Sequence, residues 1–144
     1  MTEFTYKVVE DENELEGAMD VRRQVFVLEQ GISEELVYDR LDGGAIHFIV
    51  KNGERVVGTA RARLLEGNEA KLERMAILAR FRHLGIGRNM MRFITEELKE
   101  RQTRKIVLHA QYQVMEFYKG CGFITMGSPF WEAGIKHIRM EREF

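Results

Sequence analysis

The run with the clearest chemical potential is Arg82-His83-Leu84-Gly85-Ile86-Gly87, set between an extended segment and the start of an amphipathic helix. Glycines there let the backbone aim its N–H groups at one point, and the positive end of a helix dipole reinforces them. That combination suits a diphosphate, and a side chain at Gly85 or Gly87 would crowd the anion out. Two glycines at this spacing also occur as a plain tight turn into a helix, so the run alone does not choose a ligand. The third glycine of a dinucleotide-binding loop is missing, since Asn89 and Met90 follow, and no Gly-Lys-Ser/Thr triplet is present. Nicotinamide dinucleotides and nucleoside triphosphates therefore lose ground. No Ser-His-Asp or reactive-cysteine arrangement marks the chain, which leaves a covalent acyl-enzyme little support. The single cysteine, Cys121, has no partner for a disulfide or a CxxC site and reads as a small buried residue in a reducing compartment.

The elements that must position this loop follow from the apolar pattern. A β-branched run predicts a strand over 5–9. Asp11 and Glu14 stand at capping-box spacing ahead of Leu15, Ala18, Met19, Val25 and Phe26, a helical series that Arg22 interrupts and Gly31 stops. Residues 31–44 have many acids and no clean period, so they read as a short helix or loop over a cleft. Two extended runs, 47–51 and 55–65, flank the hairpin signal Asn52-Gly53, and Glu66-Gly67-Asn68 turns the chain into a third run over 71–78. Ile86, Met90, Phe93, Ile94 and Leu98 line one side of a long helix reaching Gln102. Residues 105–110 form a compact apolar run, read as a buried strand parallel to the one before that helix. A short helix over 113–121 ends at Gly122, and 123–126 and 135–141 are the last extended segments. The order is that of a mixed α/β domain with a central sheet and helices on its faces.

The 144 residues suit one domain, 1–144, with a single core, and 44% hydrophobic, 31% charged and one proline describe an ordinary globule. A net charge of -1 draws in neither nucleic acid nor an anionic membrane, although Arg80 and Arg82 form a local basic spot for a small anion. No apolar run approaches the roughly 18 residues of a membrane span, and Met1 to Tyr6 lack the plan of a secretory signal. The expectation is a cytoplasmic protein with no nucleic-acid partner and no membrane.

The loop at 82–87 resembles the CoA-binding motif Arg/Gln-x-x-Gly-x-Gly/Ala of the GNAT acetyltransferases, which in that family lies between the fourth strand and the third helix. Phe117-Tyr118-Lys119-Gly120-Cys121-Gly122-Phe123 looks like the family's Phe-Tyr-x-x-x-Gly-Phe element. A closer likeness is to the ElaA-like branch. It rests on RRQVFVLEQ at Arg22 to Gln30, on Leu72-Glu73-Arg74 with Met75-Ala76-Ile77, and on Glu132-Ala133-Gly134-Ile135-Lys136-His137. Together these cover nearly the whole chain.

The resemblance implies the GNAT fold: a mixed, mostly antiparallel sheet of about six to seven strands with helices on both faces, strands four and five parallel and splayed. Acetyl-CoA would lie between those two strands, with no metal. The backbone of Met75, Ala76 and Ile77 would pair with the pantetheine arm. Amides from His83, Leu84, Gly85, Ile86, Gly87 and Arg88, behind Arg82, would hold the diphosphate, and an N–H near Ile77 would polarise the thioester carbonyl. Gln111 stands where many members have an asparagine that touches the pantetheine. Tyr118 corresponds to the tyrosine that protonates the departing thiolate, and Phe117 reads as packing. The amine must lose a proton, with Glu73 the leading base and His109 and His137 its rivals; Lys71 stands where some members carry their glutamate. Arg22, Glu29 and Gln30, with Tyr38, Asp39, His109 and His137, are expected on the acceptor side, where acids at Glu29, Glu34, Glu35 and Asp39 would suit a cationic amine. Trp131 reads as a core anchor, and His47 and His83 as bystanders. The implied activity is direct transfer of an acetyl group from acetyl-CoA to a primary amine of a small molecule or peptide. The alternative is a catalytically silent CoA or acyl-CoA sensor. A homodimer is a further expectation of the resemblance.

Overall fold

Residues 3–144 are described by a computed structural model. Strand β1 (Phe4–Val8) leads into α1 (Glu12–Arg22), whose start is built as its sequence requires. Asp11 is extended and accepts the Glu14 N–H at 2.8 Å, while the Glu14 carboxylate accepts the Glu10 N–H at 2.8 Å. One donor that the first turn leaves without a partner is thus satisfied, together with the N–H of the residue before the cap. Beyond Arg22 the helix widens into π-helical turns over Arg23–Glu29, with the Gln30 N–H reaching the Val25 carbonyl at 3.1 Å, and Gly31 follows at φ +72. Such widened turns are uncommon and concentrate at functional sites. Here they aim Glu29 and Gln30.

Short α2 (Glu34–Val37) and a 3-10 turn, Asp42–Gly44, fill the acid-rich stretch. A meander follows of β2 (Ile46–Asn52), β3 (Arg55–Leu65) and β4 (Glu69–Ile77). Its first turn is Gly53-Glu54, one residue later than the Asn52-Gly53 signal implies, with Gly53 supplying φ +63 at the first central position. The long α3 (Ile86–Glu100) crosses over to β5 (Lys105–Gln111), and α4 (Met115–Gly120) precedes the hairpin of β6 (Ile124–Glu132) and β7 (Ile135–Glu143). The seven strands form one sheet in the order β1-β2-β3-β4-β5-β7-β6, and only the β4–β5 pair is parallel.

Successive residues of a strand face opposite sides. On β2, His47 meets Arg22 at the end of α1, while Phe48 meets Phe93 of α3 edge-to-face with ring centroids 6.2 Å apart. The two helices therefore cover opposite faces. Ile86, Met90, Met91, Ile94 and Leu98 of α3 join Phe48, Val50, Ile106 and Leu108 in one core.

The last hairpin corrects the sequence reading. β6 runs to Glu132 instead of ending near Met126, because Gly127 at φ +78 and Pro129 sit in a bulge between the Met126–Arg139 and Phe130–His137 pairs. On an edge strand a bulge accommodates proline, so the break in pattern does not end the strand. Trp131 is 73% exposed there and is no core anchor. No helix among the described residues is long and apolar enough to cross a membrane.

Candidate active site

β4 and β5 pair only from Glu69–Lys105 to Leu72–Leu108, although β4 continues to Ile77 and β5 to Gln111. The cause lies on the other edge of β4. Arg61 pairs with Glu73 and Thr59 with Ala76, so Arg74 and Met75 together oppose Ala60, and Arg74 takes φ +56. A bulge of this kind bends and twists its strand. Left-handed backbone is unusual for arginine. The guanidinium secures it by donating to the carbonyls of Val37 (3.1 Å) and Leu36 (3.0 Å) and to Asp39 (3.0 Å). Downstream of the bulge, residues 73–77 present a strand edge with no strand partner to a cleft of about 970 Å³.

The phosphate-type loop closes one end of this cleft. Gly85 takes φ +81 with nothing within 4 Å of where a Cβ would stand. Among the described residues the N–H groups of 83–88 have no hydrogen-bond partner, the first helical donor being Asn89 to Gly85 at 3.1 Å. Unpaired amides at a helix start with no side chain in front form a cradle that fits a diphosphate. A Cβ on Gly87 would lie 3.2 Å from the Phe117 ring, so that glycine also lets α4 approach. Arg82 faces away from the cradle. Its Nε donates to the Ile77 carbonyl at 2.9 Å, and its two terminal nitrogens donate to Glu29 at 2.6 and 2.8 Å. The Leu78 N–H pairs back to Val57 on β3 at 2.9 Å. By the alternation of a ladder the Ile77 N–H then points the other way, into the cleft.

Midway along the cleft, Tyr118 lies half-buried between the rings of Phe117 and Phe123, its hydroxyl 3.5 Å from the Met75 sulfur. Burial pushes its phenol well above the ordinary tyrosine value, so it holds its proton throughout the neutral range. A thioether is a weak acceptor, which leaves the O–H available to something stronger.

Toward the opposite end Glu73 is gripped by cations. Arg63 donates to both of its oxygens at 2.8 and 2.9 Å, Arg61 donates to Oε2, and Lys71 stands 3.4 Å away. Burial would raise the carboxyl, but hydrogen bonds from Arg63 and Arg61 outweigh it and hold the group down at about 2. A carboxylate that acidic scarcely accepts a proton near neutrality, so the reading of Glu73 as the base gives way to one of Glu73 as a counter-ion. Arg22 is likewise displaced from the acceptor side: it is fully buried, outside the cleft lining, bonded to Asp42 at 2.8 Å and to His47 Nδ1 at 3.2 Å. Glu29 and Gln30 do line the cleft, as braces. Gln30 accepts from Gln111 Nε2 at 2.9 Å, and that bond occupies the amide expected to meet pantetheine.

The histidines divide. His109 Nδ1 lies 3.2 Å from Glu132, which leaves Nε2 without a partner among the described residues, and both side chains line the cleft. His137 is buried, stacks on Phe130 and engages the Ile135 carbonyl through Nδ1 at 2.8 Å. His137 also lines the cleft with its Nε2 3.8 Å from Glu132, so one carboxylate faces both rings, and His109 is the nearer to it at 3.2 Å and the more exposed.

A family model described as an acetyltransferase (GNAT) domain matches residues 3–144. This chain belongs to the GNAT acetyltransferase family. The uncharacterized N-acetyltransferase YjcF of Bacillus subtilis (strain 168) is 33% identical over 137 residues, 94% of this chain and 97% of that protein. ElaA of Escherichia coli K12 is 28% identical over 137 residues, 91% of this chain and 88% of that one. The ElaA crystal structure superposes with a TM-score of 0.83 over 99% of this chain and 100% of the other, at 24% identity. An acyl-CoA N-acyltransferase from Pseudomonas aeruginosa superposes at 0.84 over 99% of both chains, at 22% identity. The seven-stranded sheet with its parallel, splayed central pair is the GNAT fold the motifs imply, and the ElaA likeness holds.

For this GNAT acetyltransferase, sequence reasoning missed Arg61, Arg63, Asp42 and Glu132. The first two carried a signal: arginines two apart in an otherwise apolar run, RVVGTARARLL, must share one face of β3. Glu132 stood first in the Glu132–His137 element of the resemblance but without a role, and the β5–β7 and β6–β7 pairings bring it to His109.

Proposed function

We propose that this protein transfers the acetyl group of acetyl-CoA directly to a primary amine. The observation that carries the reading is the open seam of β4: the Ile77 edge, the unpaired loop amides and Tyr118 line one cleft. Two other solved members support it. A GNAT family acetyltransferase from Elizabethkingia anophelis was crystallised with acetyl-CoA (TM-score 0.78, 16% identity), and the PaiA N-acetyltransferase of Thermoplasma acidophilum with coenzyme A (0.73, 15%).

Acetyl-CoA supplies an activated thioester. The amides of His83 to Arg88 hold the diphosphate, and the free edge at Met75, Ala76 and Ile77 takes the pantetheine arm as an added strand, with Gln111 beside it. The Ile77 N–H donates to the carbonyl oxygen as negative charge develops, an effect whose loss typically costs about a hundredfold or more in rate. His109 Nε2 accepts the amine proton while Glu132 keeps the imidazole in place. A nitrogen–carbon bond forms, the carbon–sulfur bond breaks, and Tyr118 gives its proton to the leaving sulfur. The products are an N-acetyl amine and the free thiol. The test is thiol release from acetyl-CoA across a panel of amines. Turnover supports transfer, whereas tight CoA binding with no turnover of any amine leaves only the silent sensor.

A further inference from the structure

We infer that the acceptor amine also carries a carboxylate, and that Arg63 and Lys71 receive it. The inference rests on the transfer reading above and concerns which amine that site selects. Of the acids that would attract a polycation, Glu29, Glu34 and Asp39 are already committed, and Glu35 does not line the cleft. Glu29 is held by Arg82, Glu34 by Arg23 at 3.4 Å, and Asp39 by Arg61 at 2.7 and 2.9 Å and by Arg74. The wall beneath the acceptor end holds more positive than negative charge. Among the described residues, Arg22, Arg61, Arg63, Lys71 and Arg74 pair with three carboxylates, Asp39, Asp42 and Glu73. His47, lodged in the same network, is pushed by burial toward its neutral form and adds nothing at neutral pH.

The surplus surfaces at Arg63, Lys71 and Arg74, of which Arg74 spends its Nε and Nη2 on Val37, Leu36 and Asp39. Arg22 and Arg61 are sealed at 0% exposure, whereas the side chains of Arg63 and Lys71 are 26% and 24% exposed and line the cleft. Arg63 uses Nε and Nη2 on Glu73, so its Nη1 has no partner among the described residues, and Lys71 makes one long contact. Both are positioned by the ladder. Arg63 pairs with Lys71 and Lys71 with Val107, two residues before His109 on the same face of β5. One strand spacing across and two residues along, roughly 8 Å between Cα atoms, separate Lys71 from the base, and Arg63 stands one strand further out. A small amine with a carboxylate a few bonds away spans that gap with its nitrogen at His109.

The experiment compares γ-aminobutyrate with its carboxamide, and both with 1,4-diaminobutane, by thiol release from acetyl-CoA at low salt. The carboxylate is expected to lead in kcat/KM by about tenfold or more, and the lead should shrink as salt screens it. Arg63→Gln and Lys71→Gln should each bring the carboxylate-to-carboxamide ratio toward one. Lys71→Gln leaves the Arg63–Glu73 pair intact and serves if the first variant folds poorly. A carboxamide or diamine turned over as well as the carboxylate overturns the inference while the transfer reading stands. Absence of thiol release with every amine overturns the transfer reading. Calorimetry of the CoA-loaded protein with the same ligands then decides the subsite, and carboxylate binding no tighter than carboxamide binding overturns it.

Discussion

Glu29 and Arg82, 53 residues apart in sequence, are joined by two hydrogen bonds of 2.6 and 2.8 Å, and the same guanidinium holds the Ile77 carbonyl. One side chain on the widened end of the first helix thereby fixes the outgoing end of β4 and the start of the phosphate-type loop. Glu29→Gln should cost only about 0.5–1 kcal/mol of stability, since the pair is partly exposed and screened. Its larger effect should be a several-fold rise in the CoA dissociation constant, read by calorimetry. An unchanged constant would show that the loop keeps its shape without the clamp.

Tyr118→Phe removes a phenol whose hydroxyl has, among the described residues, a sulfur as its one hydrogen-bond partner. Stability should change by less than about 1 kcal/mol. Turnover should fall by about a hundredfold or more with the KM for acetyl-CoA nearly constant, as expected for a group that acts in proton transfer. Equal turnover at every pH removes the tyrosine from the mechanism.

His109→Gln should lower kcat by about a hundredfold with the KM for acetyl-CoA nearly unchanged, because it removes the nitrogen that takes the amine proton. Glu132→Gln should lower kcat less, because it loosens the ring without removing the acceptor nitrogen. If His109→Gln keeps the parent kcat, another group takes the amine proton.

The folded protein keeps the Glu73 carboxyl near 2, below its ordinary 4.5. A carboxyl depressed on folding contributes stability that is complete above about pH 4.5 and drains away as the pH falls toward 2. The melting temperature should drop over that window, and Glu73→Gln should flatten the drop. The same variant strips the buried Arg61 of a partner and should cost about 3–5 kcal/mol at neutral pH. A parallel pH curve in the variant would mean that the acid sensitivity arises elsewhere.

Gly87→Ala places a methyl 3.2 Å from the Phe117 ring, next to Tyr118. Overpacking of this kind costs about 1–3 kcal/mol. CoA affinity and turnover should fall together, and wild-type values for both would show that the ring yields freely.

The elements of the proposed cofactor half were legible in the sequence because they are local: glycines at a helix start, and a tyrosine in a short helix after β5. The acceptor half was not. Whether Glu73 accepts protons or anchors cations depends on Arg61 and Arg63, which reach it only through the β3–β4 register. Arg22 interrupts an apolar helical face, a pattern shared by an active-site residue and a buried ion-pair member; Asp42 and His47, distant in sequence, make it the latter. The extent of β6 was hidden by Pro129 and Gly127, which a bulge absorbs.

The arginine in left-handed backbone at position 74 binds the opening of the sheet to the segment that overhangs it. If the 36–39 stretch lifts, the carbonyls and carboxylate that steady that unfavourable conformation leave with it. Parted strands and roof therefore form a single mechanical unit, so sequence drift in the roof is felt directly in the width of the gap below.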